Sequence, residues 1–293
     1  MSTNSAGSYD LTNNNGFVAV GSFGSGNIPV DGAGTRLMWY PQKAAFRAGS
    51  ISGTQWDDAN IGLYSVAMGQ DVRALGDYSL AGGARAVAAN TGTFAFGEDV
   101  TATGANSVVL GYHASSSTSA GSPRQGTFVF GDRSTATNVN PLANNTATWR
   151  VSGGFYIYTS STLTTGVNVT AGGGSWNTVS DRNRKQNFLA VDGEDLLARL
   201  RNVPVTTWNY IAEGRQVRHM GPMAQDWHQA FGFSADSLTI NTGDIDGVNL
   251  AAVKALEART AAQQARIDAL ETENAELRRR LDRIEAMVAA PRR

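Results

Sequence analysis

Four hexapeptides of one pattern begin 14 residues apart: Tyr64-Ser-Val-Ala-Met-Gly69, Tyr78-Ser-Leu-Ala-Gly-Gly83, Gly92-Thr-Phe-Ala-Phe-Gly97 and Asn106-Ser-Val-Val-Leu-Gly111. A fifth, Gly126-Thr-Phe-Val-Phe-Gly131, follows after 20 residues, an insertion of 6 around Ser115–Pro123. Units this short cannot bury a core alone, so they must stack on one another. Val66/Met68, Phe94/Phe96, Val108/Leu110 and Phe128/Phe130 alternate with small residues, the period of a half-buried strand. A second short strand follows each glycine, as in Val72/Ala74, Ala86/Ala88 and Val100/Ala102. Gly62, Gly76, Asn90 and Gly104 keep the same period. Gly and Asn take positive φ at low cost, so these four read as turn corners. Each unit is then two strands and two tight turns, one coil of a β-solenoid. A single stack of such coils leaves an apolar stripe in water, and three chains side by side would bury it.

Residues 62–136, on this period, strand pattern and glycine spacing, resemble the head of trimeric autotransporter adhesins. The resemblance implies a left-handed parallel β-roll in a homotrimer. Residues 1–61 carry Trp39, Tyr40, Phe46 and Trp56, an aromatic block that reads as a cap or attachment region for the stack. Sugar stacking on Trp is its functional alternative. Residues 137–179 continue the β pattern through Phe155-Tyr-Ile-Tyr158 and Gly166-Val-Asn-Val169 and read as a β-stalk.

The composition changes near residue 180. Residues 1–179 hold 8 basic and 9 acidic side chains, about one residue in ten. Residues 180–293 hold 16 of each, more than one in four. The chain ends in a 3-4 spaced seam over 250–293: Val253, Leu256, Ile267, Leu270, Leu277, Leu281, Ile284 and Val288, with Thr260, Gln263 and Asn274 as polar members. Glu273/Arg280 and Glu276/Arg283 flank it. So narrow a stripe has nowhere to go on a solitary helix and predicts a coiled coil. Asn274 at an a-type position by itself favours a dimer, against the trimeric head. The expected fold is therefore mainly β with a C-terminal α/β and coiled-coil part: a homotrimeric shaft, an α/β domain over 180–249 and a trimeric helical bundle.

Candidate chemistry lies at the boundary. The segment Ser180-Asp-Arg-Asn-Arg-Lys-Gln-Asn-Phe188 precedes an α/β pattern, helical at Gly193–Leu200, strand-like at Pro204–Tyr210, with a helix opening in His219–His228. Lysine is scarce: Lys43, Lys185 and Lys254 stand against 21 Arg. Arginine keeps its proton in a protein, whereas a desolvated lysine can act as a base. Ser180 and Lys185 are thus the parts of a serine–lysine dyad. The plainer reading of Ser180-Asp181 is an ordinary helix N-cap. An offset of five puts the two side chains on opposite faces of a strand and about 140° apart on a helix. A turn or a neighbouring chain must therefore join them.

Ser180-Asp181-x-x-x-Lys185, Thr206-Thr-Trp-Asn-Tyr210, His219-x-Gly-x-x-Ala-Gln225 and the terminal seam resemble the intramolecular chaperone auto-processing domain. That family closes endosialidase tailspikes and other phage tail fibres. The resemblance implies a domain that helps a β-rich shaft trimerise and then cuts itself off, with Ser180 as nucleophile and Lys185 as base. Asp181, His219 and Gln225 are possible supporting residues, with a packed structural role the plainer reading of His219. Arg184 would act on Lys185 only if their heads lie close. Ser Oγ reaches the preceding carbonyl through a five-membered ring and its own only through a four-membered one, which places the scissile bond at Val179–Ser180.

The leading expectation is a phage tail fibre or receptor-binding protein located in the virion tail. Its partners would be its own copies, a host cell-surface glycan or protein receptor, and other virion tail proteins. A bacterial surface adhesin is the second reading, disfavoured by the lack of a visible signal or C-terminal membrane barrel. A polysaccharide-degrading spike, using Asp57, Asp58, Glu98 or Asp99, is the third. Cysteine is absent, and net charge is −1. No cofactor, metal, nucleic acid or membrane insertion is expected.

Overall fold

The computed structural model describes residues 16–289, and the chain divides into two compact units, 1–177 and 178–293. Residues 1–15 of the expected N-terminal region and 290–293 of the expected coiled coil lie outside the described residues.

The first unit is a ladder. β1 (Gly34–Tyr40) and β2 (Ala45–Ile51) form an antiparallel hairpin. From β2 the order runs through β3 (Val66–Gln70), β5 (Leu80–Ala84), β7 (Phe94–Ala102), β8 (Val108–Ser115), β9 (Phe128–Gly131) and β10 (Ala147–Arg150), all parallel. Val66 lies opposite Leu80, Leu80 opposite Phe94, and Phe94 opposite Val108, so each coil occupies 14 residues. Longer coils add β2 before the repeats and β9 and β10 after the insertion, so the ladder runs past both ends of the repeated sequence. β4 (Arg73–Ala74) and β6 (Val87–Ala88) pair with each other, and β6 pairs with the end of β7, making a second wall.

Small residues fill the interior. Ala67, Ala81, Ala95, Val109 and Val129 face inward from one wall, and Val72, Ala74, Ala86, Ala88, Val100 and Ala102 are equally buried. Their larger neighbours face outward: Met68 keeps 40% and Phe96 48% of its surface exposed. The strand alternation is real, but the big side chains are on the outside. A column of buried hydroxyls runs alongside. Ser65, Ser79 and Thr93 donate to the carbonyls of Gly62, Gly76 and Asn90 at 2.6, 2.5 and 2.6 Å, which satisfies both groups without water.

The chain bends at Gly76, Asn90 and Gly104, but the positive-φ reason given for Gly62, Gly76, Asn90 and Gly104 is corrected. None of the four takes positive φ; that conformation falls two residues later, at Tyr64, Tyr78, Gly92 and Asn106. Gly62, Gly76 and Gly104 are required for a different reason. A Cβ there would sit 2.1, 2.0 and 1.9 Å from a carbonyl oxygen of the next coil. At these three glycines the period marks close approach.

Arg47 seals the β2 end. It occupies the place of Ala67 in the register and is fully buried. Its guanidinium donates to the carbonyls of Ser65 (2.9 Å) and Ala74 (3.1 Å) and to Ser65 Oγ (2.8 Å). Burial pulls its pKa down to about 10. Trp56 and Tyr40 are buried in the same layer, the indole donating to Val72 O at 2.9 Å. After β10 come a second antiparallel hairpin, β11 (Gly154–Tyr158) with β12 (Gly166–Thr170), and the short β13 (Asn177–Thr178).

The second unit packs α1 (Gly193–Arg201) and α2 (Ala224–Phe231) against the start of α3 (Thr242–Ala289), around Leu196, Val203, Trp227, Val248 and Ala252. Asp192 caps α1, accepting from Glu194 N at 2.9 Å and Asp195 N at 3.1 Å. Between the helices, β14 (Thr206–Trp208) and β15 (His219–Gly221) form a hairpin. α3 begins eight residues before the seam expected from 250, because its first turns belong to this small core. From residue 260 to 289 every residue is exposed, including the seam. No helix among the described residues is long and apolar enough to cross a membrane.

Gly83→Ala tests the stacking. Its φ is +103°, and a Cβ would stand 2.1 Å from Gly97 O. Overpacking and left-handed strain together should cost about 2–5 kcal/mol. Gly121→Ala, at φ +83° with open space around it, should cost only the strain, about 1–2 kcal/mol. Denaturant midpoints of the two variants measure the difference; equal losses would show that coil contact is not what the glycine provides.

Candidate functional site

Ser180 and Lys185 meet through a turn. Asp181 is extended and accepts a hydrogen bond from Asn183 N at 2.9 Å, capping one turn of 3-10 helix over Arg182–Arg184. The backbone N–H of Lys185 closes the turn on Arg182 O at 3.2 Å. The chain then reverses, and Lys185 Nζ donates to Ser180 Oγ at 2.6 Å. No neighbouring chain is needed to join them. The cap reading and the dyad reading are therefore compatible, since the cap on Asp181 shapes the turn that pairs the other two. Arg184 Nε lies 3.7 Å from Asp181 Oδ2, so that carboxylate holds the second cation of the turn. Arg182 lies 5.8 Å above the Phe188 ring. From Ser180 to Val191 every residue is exposed in the single chain, and Val179 is half-buried.

The four carboxylates considered for a spike, Asp57, Asp58, Glu98 and Asp99, are in ion pairs or hydrogen bonds. Glu98 pairs with Arg85 at 3.0 Å and Arg133 at 2.7 Å; Asp99 pairs with Arg85 at 2.6 Å. Asp58 accepts from Tyr40 at 2.8 Å and pairs with Lys43 at 3.0 Å, while Asp57 accepts from Gly32 N at 2.7 Å. Hydrogen bonds from these partners hold Glu98, Asp99 and Asp58 below the usual carboxylate range. A glycosidase general acid needs a shift in the opposite direction. The geometry gives a polysaccharide-degrading site no support here.

His219 and Gln225 have other surroundings. His219 Nε2 is 2.9 Å from Glu213 Oε2, and its ring packs 4.8 Å from Trp208 and 5.6 Å from Tyr210. Gln225 is exposed on the first turn of α2. Neither hydrogen-bonds Ser180 or Lys185. Sequence reasoning missed Glu213; its one signal is a position six residues before His219, across a short β-connection.

The His219 hydrogen bond holds Glu213 below the ordinary Glu range. A depressed carboxyl contributes stability that is complete at neutral pH and is lost as pH falls through the folded-state value. The Trp208 indole resonance, followed by NMR from pH 7 to pH 3, should show a step below the ordinary Glu value of about 4.3. Glu213→Gln should abolish it. A step at or above that value would mean the pair does not hold in solution.

Among known proteins, residues 180–234 match the family model described as chaperone of endosialidase, a stretch that begins at Ser180 and covers a little under a fifth of the chain. Neither curated proteins nor solved structures gave a match.

Proposed function

We propose that this chain is the subunit of a homotrimeric tail fibre or receptor-binding protein of a phage, whose C-terminal part serves as a trimerisation chaperone and then cuts the chain between Val179 and Ser180. The observation that carries the reading is the 2.6 Å hydrogen bond from Lys185 to Ser180, at the first residue of the segment matching the chaperone family. Outward-facing Met68 and Phe96 on the stack, and the uncovered seam of α3, support assembly of several copies.

In the proposed cut, Ser180 Oγ attacks the carbonyl carbon of Val179 and gives its proton to Lys185. The C–O bond forms through a five-membered ring, the C–N bond breaks, and the freed amine of Ser180 takes the proton. Water then hydrolyses the ester, leaving the Val179 carboxylate and the Ser180 hydroxyl. Lysine serves as base only where burial removes its charge. Ser180 and Lys185 are on the surface of the single chain, so the reaction needs a cover from another copy. Cutting then follows assembly.

Purified protein should yield fragments 1–179 and 180–293 by intact mass, with no protease added. Ser180→Ala should abolish cutting, and Lys185→Arg should reduce it at least about 100-fold, the usual worth of a positioned base. Both variants should still assemble, with light scattering at three times the chain mass, and urea-unfolded chain should stay whole. If Ser180→Ala gives the wild-type fragments, Ser180 only precedes a cap; a monomer by light scattering overturns the trimer.

A further inference from the structure

The long helix carries more than an apolar seam. With Val253, Thr260, Ile267, Asn274, Leu281 and Val288 at a and Leu256, Gln263, Leu270, Leu277 and Ile284 at d, the flanking positions are fixed by counting. The g side reads Arg259, Arg266, Glu273, Arg280; the e side reads Glu257, Gln264, Glu271, Arg278, Glu285. The seam between them is uncovered, from 38% exposure at Leu270 to 80% at Val288. Arg259 is already held by Glu194 of α1, and Arg280 bonds Glu276 of its own helix at 2.5 Å.

In a parallel coiled coil, each g residue meets the e residue five positions later on its neighbour. In register, that pairs Arg266 with Glu271, Glu273 with Arg278, and Arg280 with Glu285, so every charge pair is attractive. A slip of one heptad leaves Arg259 facing Glu271 on one flank and Glu257 on the other. It also sets Arg266 against Arg278, Glu273 against Glu285, Glu273 against Glu271, and Arg280 against Arg278. Two attractive pairs then stand against four repulsive ones. A slip of two heptads restores attraction at most positions but strips two heptads of seam at each end. An antiparallel pair placing Arg266 opposite Glu273 sets Arg259 opposite Arg280. Asn274 adds to the discrimination. In register it meets its own copies and its amides can bond one another; slipped, it faces Ile267 or Leu281 with no partner.

We infer that α3 is a register key, a surface whose partner is the same helix of other copies, held parallel and unshifted by the 266–271, 273–278 and 280–285 charge pairs and the Asn274 layer. The inference rests on the proposed assembly of copies and adds its orientation and alignment. Each exposed pair is weak, and salt weakens it further. The key works because a slip reverses the sign of several pairs together.

The chain has no cysteine, so single cysteines report alignment cleanly. Full-length Ser180→Ala chains, which keep the helix attached, would carry Leu277→Cys or Leu270→Cys. The two d positions are about 10 Å apart along a helix, beyond disulfide reach. Oxidation should link Leu277→Cys chains to each other, and co-assembled mixtures should give like-with-like links only. Adding Glu273→Arg should lower that linked fraction several-fold, and adding Arg278→Glu to the same chain should restore it. Mixed 270–277 links, an oligomer without the 277 link, or indifference to Glu273→Arg would overturn the register key while leaving oligomerisation intact. A monomer by light scattering would overturn the assembly reading as well.

Discussion

A coil of fourteen residues closes around space for side chains no larger than Ala and Val, and the rest of the architecture depends on that. Burying a methyl-sized group is worth about 0.8 kcal/mol, while a fully buried Phe or Met contributes about 1.5–3. In this stack the interior is given to Ala67, Ala81, Ala95, Val72, Val100 and Val109, and Phe94, Phe96 and Met68 look outward. Large apolar side chains of the repeats therefore lie on the outer face of the shaft. Among the described residues, Met68, Phe96 and the apolar residues of the α3 seam each keep 38% or more of their surface exposed in the single chain. The close stacking that makes the interior thin also forces glycine wherever a neighbouring carbonyl comes within about 2 Å of a Cβ position.

The repeat that makes the ladder economical also makes it ambiguous. Val66, Leu80, Phe94 and Val108 occupy equivalent places, so a chain displaced by one coil presents nearly the same outer face to its neighbours. Hydrophobic contact is non-directional and cannot tell the displaced arrangement from the right one. Discrimination has to come from a part of the chain that does not repeat. The second unit is such a part. It holds most of the charge in under half the length, and charge patterns change sign under displacement where apolar surface does not.

The period was readable from the sequence because fourteen residues return to the same backbone place, and the ladder register repeats it. Which face was buried was not readable, since alternation carries no sign; the decision lies in the distance between walls. Glycine misled for a related reason. One residue type serves both positive φ and close approach, and only the stacked neighbour, Gly76 O above Gly62, shows which applies. At the site, the need for a turn between Ser180 and Lys185 followed from arithmetic on strand and helix geometry. The cap on Asp181 that makes the turn was visible as a residue type. His219 was not placeable, because its partner Glu213 and the Trp208 ring reach it through hairpin pairing between segments about ten residues apart.

Exposure of the Ser180–Lys185 pair bears on timing. A cut made before assembly would separate the charged unit from the shaft while the repeats could still pair in the wrong alignment. In the proposed cut, a base that works only when covered would avoid this without any separate signal, because the same copies would make both the cover and the alignment. The turn needs to exist beforehand, and it does, held by the Asp181 cap and the closing hydrogen bond from Lys185 N to Arg182 O. What the proposed assembly would have to add is exclusion of water, not geometry. After such a cut, the shaft would no longer carry the unit proposed to align it. Separation and realignment would then have to proceed through the outer faces of the ladder alone, which would make the proposed assembly persistent through a slow rate of reversal.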